Sequence, residues 1–261
     1  MNSALWAAKT GLDAQESKMA VVANNLANVN TTGFKQSRGV FQDLYYQNVR
    51  QVGGSTSQDT LAPTGLNLGT GVQMVATEKL YTQGSVNQTG NSLDVAINGR
   101  GFFQVLTPEG TLAYTRDGSF QTNAQGQVVT ASGYVLQPAI TIPQGAQSIT
   151  IGNDGTVSVL VAGQTAPTTV GTLQLADFVN EAGLQPLGQN LLTASASSGT
   201  AQTANPGLSG MGTLQQGATE SSNVDVVSEM VSMIETQRAY EMDSKAIQTT
   251  DQMLQNLSTA L

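Results

Sequence analysis

Apolar residues recur at seven-residue spacing near both ends of the chain, and the long stretch between them lacks that spacing. Near the start Leu5, Leu12, Met19 and Leu26 fall on one line, and toward the finish Val226, Met233, Tyr240, Ile247, Leu254 and Leu261 do the same. A sustained heptad repeat keeps one stripe of a helix turned toward a supercoiling partner. The pattern therefore predicts two terminal helices, each with a stripe that another helix must cover. No folded core adjoins either stripe in sequence. The stripes are expected to pair with each other and with other copies of the chain, and their residues are the candidate assembly interface.

The first helix is read from Ser3 to about Asn28, with Ser3 as its N-cap and with Val22 and Val29 widening the stripe. Gly11 costs such a helix about 1 kcal/mol, so the isolated segment should be marginal. Asn28, Asn30, Thr31, Thr32 and Gly33 end it. Asn24, Asn25 and Asn28 are poor residues inside a helix unless their amides bond across an interface. From Phe34 to Tyr46 the pattern is mixed and supports no assignment. Gln51 to Gly71, rich in Gly, Ser and Thr and carrying Pro63, reads as an extended or looped connector.

From Val72 to about Thr219 the signal changes to strands, dense in β-branched residues and broken by turn dipeptides. Leu93 to Ile97 alternates before Asn98-Gly99, Asp117-Gly118 separates Tyr114 from Phe120, and Asn153-Asp154-Gly155 separates Ile151 from Val157. This predicts a β domain of serial hairpins, with a smaller lobe around Pro138 to Pro186. The last helix is expected to start near Ser222 or Asn223, where Ser222 and Asp225 have capping-box spacing. The fold class expected is α+β: N- and C-terminal helices forming a coiled-coil domain, a central all-β domain and an extended connector. The boundaries read as 1–33 for the first coiled-coil helix, 34–71 for the connector, 72–219 for the β domain and 220–261 for the helix that packs with 1–33.

Composition narrows the function. Charged residues make up 11% of the 261, far below the usual figure of about 25%. The polar surface must come from Gln, Asn, Ser, Thr and Gly, which repel copies of themselves weakly. A net charge of −8 disfavours nucleic acid as a partner. Cysteine and histidine are absent, which removes disulfides, the thiolate and imidazole metal ligands, and the commonest general base. No cofactor is expected. The opening residues hold no apolar run of signal-peptide length, so a cleavable secretory signal is not expected, and no run approaches the length of a membrane span.

Catalytic constellations are also lacking. Ser-His-Asp and Cys-His arrangements need residues the chain does not contain. Gly99 and Gly101 form a Gly-x-Gly, but Phe102 and Phe103 follow where a phosphate loop needs small residues and a helix start. Asp94, Glu109, Asp117 and Asp154 could supply a pair of acids for glycoside hydrolysis. Asp117 and Asp154 each precede a glycine, and a turn role is the better reading. Met230, Met233, Met242 and Met253 crowd the last helix and read as gap-fillers between packed helices. No enzyme activity is expected.

Four blocks carry a resemblance. ANNLANVNTTGFK, from Ala23 to Lys35, resembles the N-terminal signature of bacterial flagellar rod and hook proteins. DVAINGRGFF, from Asp94 to Phe103, and YTRDGSF, from Tyr114 to Phe120, resemble that family's central β motifs. The tail from Ser222 to Leu254 is similar to its C-terminal signature. The blocks stand in the family's order and span nearly the whole chain.

The resemblance implies a structural subunit of the flagellar drive shaft, exported through the flagellar type III apparatus without a cleavable signal and stacked in the periplasm toward the outer membrane. It implies terminal helices forming a coiled-coil tube around the export channel, with the β domain outside. The implied partners are copies of the chain itself, proximal rod proteins, the hook protein, the surrounding P- and L-ring proteins and the export apparatus. It also implies that about Tyr45 to Gly71 confers straight rigidity. Another axial subunit, a proximal rod or hook protein, is the nearest alternative. A secreted β-rich adhesin with a coiled-coil stalk and a peptidoglycan hydrolase are the readings from other classes.

Overall fold

The computed structural model describes residues 3–52, 55–57, 60–61, 64–164 and 166–259. The chain is α+β, with a helix near each end and a β-rich middle, and it divides into two compact units. One comprises residues 1–27, 37–78 and 225–261; the other comprises 28–36 and 79–224.

In the first unit, helix α1 (Ser3–Ala27) lies against helix α2 (Val226–Thr259). Asn25 bonds Glu229, and a β-carbon at Gly11 would stand 2.9 Å from the Asp243 carboxylate. Moving forward along α1 thus moves backward along α2, so the helices are antiparallel. Helix α2 begins at Val226, later than Ser222 or Asn223. Asp225 caps it, its Oδ1 accepting the Val227 N–H at 3.0 Å, while the Ser222 hydroxyl accepts the Val224 N–H at 3.3 Å. Ser222 therefore closes a local turn ahead of the helix, and the capping oxygen belongs to the residue beside the first helical position.

The residues between Phe34 and Tyr46 that the pattern left unassigned contain a strand, Ser37–Asp43, paired with Val72–Lys79. Farther out, Tyr46–Arg50 pairs antiparallel with Leu66–Gly69. Every residue of that ribbon is exposed. With neither face buried, no alternation of apolar and polar positions marks these strands, and a sequence pattern of period two has nothing to report.

The second unit is built on a nine-stranded sheet. Its path runs Phe120–Thr122, Val128–Thr130, Val135–Gln137, Phe102–Leu106, Leu112–Thr115, Leu191–Thr193, Gln185–Gly188, with Leu175–Asp177 and Gln202–Ala204 joined at Phe102–Leu106. The adjacent residues Phe102 and Phe103 face opposite sides, as strand geometry demands. Phe103 enters a cluster with Val95, Ile97, Phe120, Val159 and Leu175; Phe102 enters another with Tyr114, Phe178 and Leu184. Edge-to-face ring contacts tie each cluster together, Phe103 to Phe120 at 5.0 Å and Tyr114 to Phe178 at 4.8 Å. A three-stranded meander, Ala146–Ile151, Thr156–Val161 and Thr168–Thr172, buries Ile151, Val157 and Val159 in the same cluster as Phe103. The segment expected to form a smaller lobe thus shares the main core.

Candidate assembly elements

The helix pair hides small and polar residues. Ala14, Val22 and Asn25 are buried on α1; Glu229 and Thr236 are buried on α2. Glu229, Thr236 and Asp243 each follow a predicted stripe residue, Val226, Met233 or Tyr240, by three positions, which turns them about 60° away around the helix. The apolar stripe therefore flanks the seam with α1 instead of forming it. Leu5, Leu12, Met19, Leu26, Val226, Met233 and Ile247 are half-buried, and Tyr240 is exposed. Leu254 lies on the α2 backbone, and Leu261 falls outside the described residues. Beyond the stripe, Val227, Met230, Val231 and Ile234 place an open apolar face on the same helix, each at least half exposed.

Asn25 explains one of the awkward mid-helix asparagines. Its Oδ1 accepts the Ser37 N–H at 2.9 Å, and its Nδ2 donates to Ser37 O at 2.8 Å and to Glu229 Oε1 at 3.2 Å. One buried amide thus ties α1 to the following strand and to α2. A side chain with both donor and acceptor is needed to satisfy a backbone N–H and C=O together.

Inside the β-rich unit a buried charged knot joins four distant stretches of sequence. Lys35 Nζ donates to Glu220 Oε1 at 2.7 Å and to Thr82 O at 2.8 Å, and the Gly84 N–H donates to the same Glu220 oxygen at 2.9 Å. Arg116 Nε approaches Glu220 Oε2 at 3.6 Å, an ionic contact too long for a hydrogen bond. Lys35 and Glu220 are almost wholly buried, and so is Arg116. Burial pulls the Lys35 ammonium below its ordinary pKa, opposed by Glu220; the same balance acts on Arg116.

Around the knot the backbone is fixed as tightly. Gly33 adopts φ +69°, donates its N–H to Glu220 O at 2.8 Å, and has no room for a β-carbon, which would sit 2.6 Å from the Asp117 nitrogen. Asn223 accepts the Gln36 N–H at 2.7 Å and donates to Leu80 O at 2.8 Å. Lys35 and Arg116 lie inside the quoted motifs, but Glu220, their common partner, ends the short strand Ala218–Glu220 and is the first residue of the 220–261 segment expected to be helical. A buried carboxylate in a short strand leaves no periodic trace.

Three of the four carboxylates considered for hydrolysis hold local structure, and the fourth, Glu109, is exposed. Asp94 accepts from Thr89 Oγ1 at 2.6 Å and Asn91 Nδ2 at 3.0 Å; Asp117 accepts the Ser119 N–H at 3.0 Å; Asp154 accepts the Thr156 N–H at 3.1 Å. The Asp117 and Asp154 bonds are Asx-type closures of tight turns, whereas Asp94 is held by the side chains of two preceding residues. Among the described residues no group of three or more acidic, His or Cys side chains is placed to hold a metal, and no helix is long and apolar enough to cross a membrane.

Three family models match the chain in order. Residues 5–35 match "Flagella basal body rod protein", residues 96–159 the D1 domain of the flagellar hook proteins FlgE/F/G, and residues 215–260 the C-terminal part of the flagellar basal body rod proteins FlgEFG. The flagellar basal-body rod protein FlgG of Buchnera aphidicola from Schizaphis graminum is 56% identical over 258 residues, 99% of each chain. That of Caulobacter vibrioides is 50% identical over 256 residues, 98% of each, and that of Bacillus subtilis is 40% identical over 264 residues, again 98% of each. Gly33 and Lys35, in the first matched segment, and Glu220, in the last, meet in the same knot. On this similarity, end to end, the chain belongs to the flagellar basal-body rod protein family.

Proposed function

We propose that this chain is a structural subunit of the distal rod of the bacterial flagellum, polymerising into a rigid hollow shaft that transmits torque and encloses the export channel. The observation that carries the reading is the end-to-end similarity to rod proteins named FlgG, reaching 56% identity. The open apolar face of α2 supports the polymer part of it. Each Leu or Ile fully buried there would contribute about 1.5–3 kcal/mol, and within its own unit the helix leaves that gain unrealised.

In this reading residues 1–33 and 220–261 form the coiled coil that lines the channel, 34–71 is the rod-stiffening connector, and 72–219 is the β domain. The stripe from Leu5 to Leu26 and from Val226 to Leu261 meets neighbouring copies. The subunit reaches the periplasm through the flagellar type III apparatus without a cleavable signal. It stacks on proximal rod proteins, is continued by the hook protein, and turns within the P and L rings. The chain works as a mechanical part and catalyses no reaction.

Substituting Leu254→Asp tests the reading. The variant is expected to keep the wild-type melt of the β-rich unit and to form no filaments under conditions where the wild-type chain does. Filaments of normal length and straightness from Leu254→Asp would refute the assignment of the stripe.

A further inference from the structure

We propose that Asn98-Gly99 is this chain's site of spontaneous deamidation, and that Gln83 is the positioning residue that holds the reaction back. The pair is the one Asn-Gly step in the sequence. Asn98 and Gln83 are both exposed, so water and hydroxide reach them. Asparagine is among the thermally labile side chains, and a following glycine, lacking a β-carbon, leaves the approach of its own nitrogen unhindered.

The reaction is a cyclisation followed by hydrolysis. The Gly99 N–H gives its proton to hydroxide, and the nitrogen attacks the side-chain carbonyl carbon of Asn98. The new C–N bond closes a cyclic imide, while the Cγ–Nδ2 bond breaks and the nitrogen leaves as ammonia after taking a proton from water. Water then opens the imide at either carbonyl and leaves aspartate or isoaspartate at position 98. Isoaspartate routes the main chain through the side-chain carboxyl carbon and lengthens it by one methylene. In the strand Val95–Asn98, where Asn98 lies opposite Thr213, that extra atom breaks the register with Thr213–Gln216.

Cyclisation needs a free Gly99 N–H and a peptide able to turn toward the Asn98 side chain, and the fold obstructs both. The Gly99 N–H donates to Gln83 Oε1 at 3.1 Å, while Gln83 Nε2 donates to Ile97 O at 3.2 Å and to Asn98 Oδ1 at 3.5 Å. Both ends of the Gln83 amide are thus spent on this one stretch. A bonded N–H surrenders its proton to hydroxide more slowly, as slowed amide exchange shows. The extended backbone of Asn98 turns the Gly99 nitrogen away from its side chain. Arg116 Nη2 donates to Gly99 O at 2.7 Å and the Gly212 N–H to Arg100 O at 2.8 Å, which anchors the residues that would have to move. The glycine itself is fixed by the turn: its φ is +116°, and a β-carbon would stand 2.9 Å from Gly212 Cα. The residue that the turn requires is the one that opens Asn98 to attack, and Gln83 offsets the hazard.

The test incubates the full chain and its Gln83→Ala variant in warm, mildly alkaline buffer. Peptide mapping by mass spectrometry follows aspartate and isoaspartate at position 98, and amide exchange is read at Gly99 and at the buried Val105. The variant is expected to convert Asn98 roughly fivefold faster than wild type, the scale of one lost hydrogen bond, with faster exchange at Gly99 and unchanged exchange at Val105. Equal conversion rates, or exchange at Val105 rising as much as at Gly99, would overturn the role of Gln83. A Gln83→Ala chain that deamidates first at another asparagine would overturn the assignment of the site. A further arm needs no variant: a peptide of residues 95–101 in the same buffer should lose ammonia at least roughly tenfold faster than the folded wild-type chain, because nothing holds its Gly99 N–H. A folded chain that reacts as fast as the peptide would contradict the protection.

Discussion

Helix α2 and the sheet of the β-rich unit place their residues by opposite rules. On the sheet, the neighbours Phe102 and Phe103 each find a closed apolar cluster, and the charges that go inside, Lys35, Arg116 and Glu220, go in together. On α2, Glu229 and Thr236 are buried while Val231 and Ile234 stand half exposed. The sheet buries most of its apolar surface within one chain, Leu112 and Leu187 excepted. The helix satisfies its polar seam within one chain and leaves the apolar surface for something else. A residue's hydrophobicity therefore says where it will be buried only once the number of chains in the final assembly is known.

The largest effect should come from breaking the knot. Glu220→Ala leaves Lys35 and Arg116 buried without their shared counter-charge, and losing one partner of a buried pair costs about 3–5 kcal/mol. Amide exchange at Val105, deep in the β-rich unit, should speed accordingly. A loss under 1 kcal/mol would mean that the buried cations find other partners or water, and the contrast between a self-sufficient sheet and an incomplete helix would weaken.

Asn25→Ala should act on the helical unit with a smaller magnitude. It removes the bonds to Ser37 and Glu229, a loss of about 1–3 kcal/mol when buried polar groups lose their partner. Chemical denaturation followed by helical circular dichroism measures it. An unchanged midpoint would show that the amide is incidental to the helix seam.

Gly11→Ala should change stability in the other direction. The added β-carbon meets only the end of the Asp243 side chain, at 2.9 Å, which can swing aside, so the helix gains about 1 kcal/mol of propensity. A loss instead would mean that the Asp243 carboxylate is fixed at that point of the seam, sharpening the view of α1 and α2 as a pair held by small and polar residues.

The smallest effect concerns pH. Hydrogen bonds from Thr156 hold the Asp154 carboxyl below its ordinary value of 3.8. A carboxylate with a depressed folded pKa stabilises the fold above its unfolded pKa, and that stabilisation is lost as pH falls through the folded value. Asp154→Asn should thus flatten the acid limb of the melting profile below about pH 4 while leaving the limb above pH 5 parallel to wild type. A profile that keeps the wild-type acid limb would remove this turn from the ledger of acid-sensitive contacts.

What the sequence disclosed follows the same division. Long elements with a repeating face were legible: the heptads marked both helices, and Asn98-Gly99 and Asp117-Gly118 marked turns between strands. The ribbon of Tyr46–Arg50 with Leu66–Gly69 was not, because strands exposed on both faces carry no alternation to read. Glu220 was missed for a different reason. Its partners lie 104 and 185 residues away at Arg116 and Lys35 (220 − 116 and 220 − 35), and no local pattern records a contact so distant. The stripe residues were visible as a set, while the polar seam three positions along was hidden among ordinary surface-like residues, Glu229, Thr236 and Asp243.

The central claim is that the apolar side of α2 acquires its cover only between chains. Amide hydrogen exchange across residues 226–259, compared between the unassembled chain and filaments grown from it, tests this most directly. The account predicts that α2 exchanges about a hundredfold faster in the single chain, where only its seam with α1 protects it, than in the filament, with amides of the Phe102–Leu106 strand slow in both. Equal protection of α2 in the two states would contradict it.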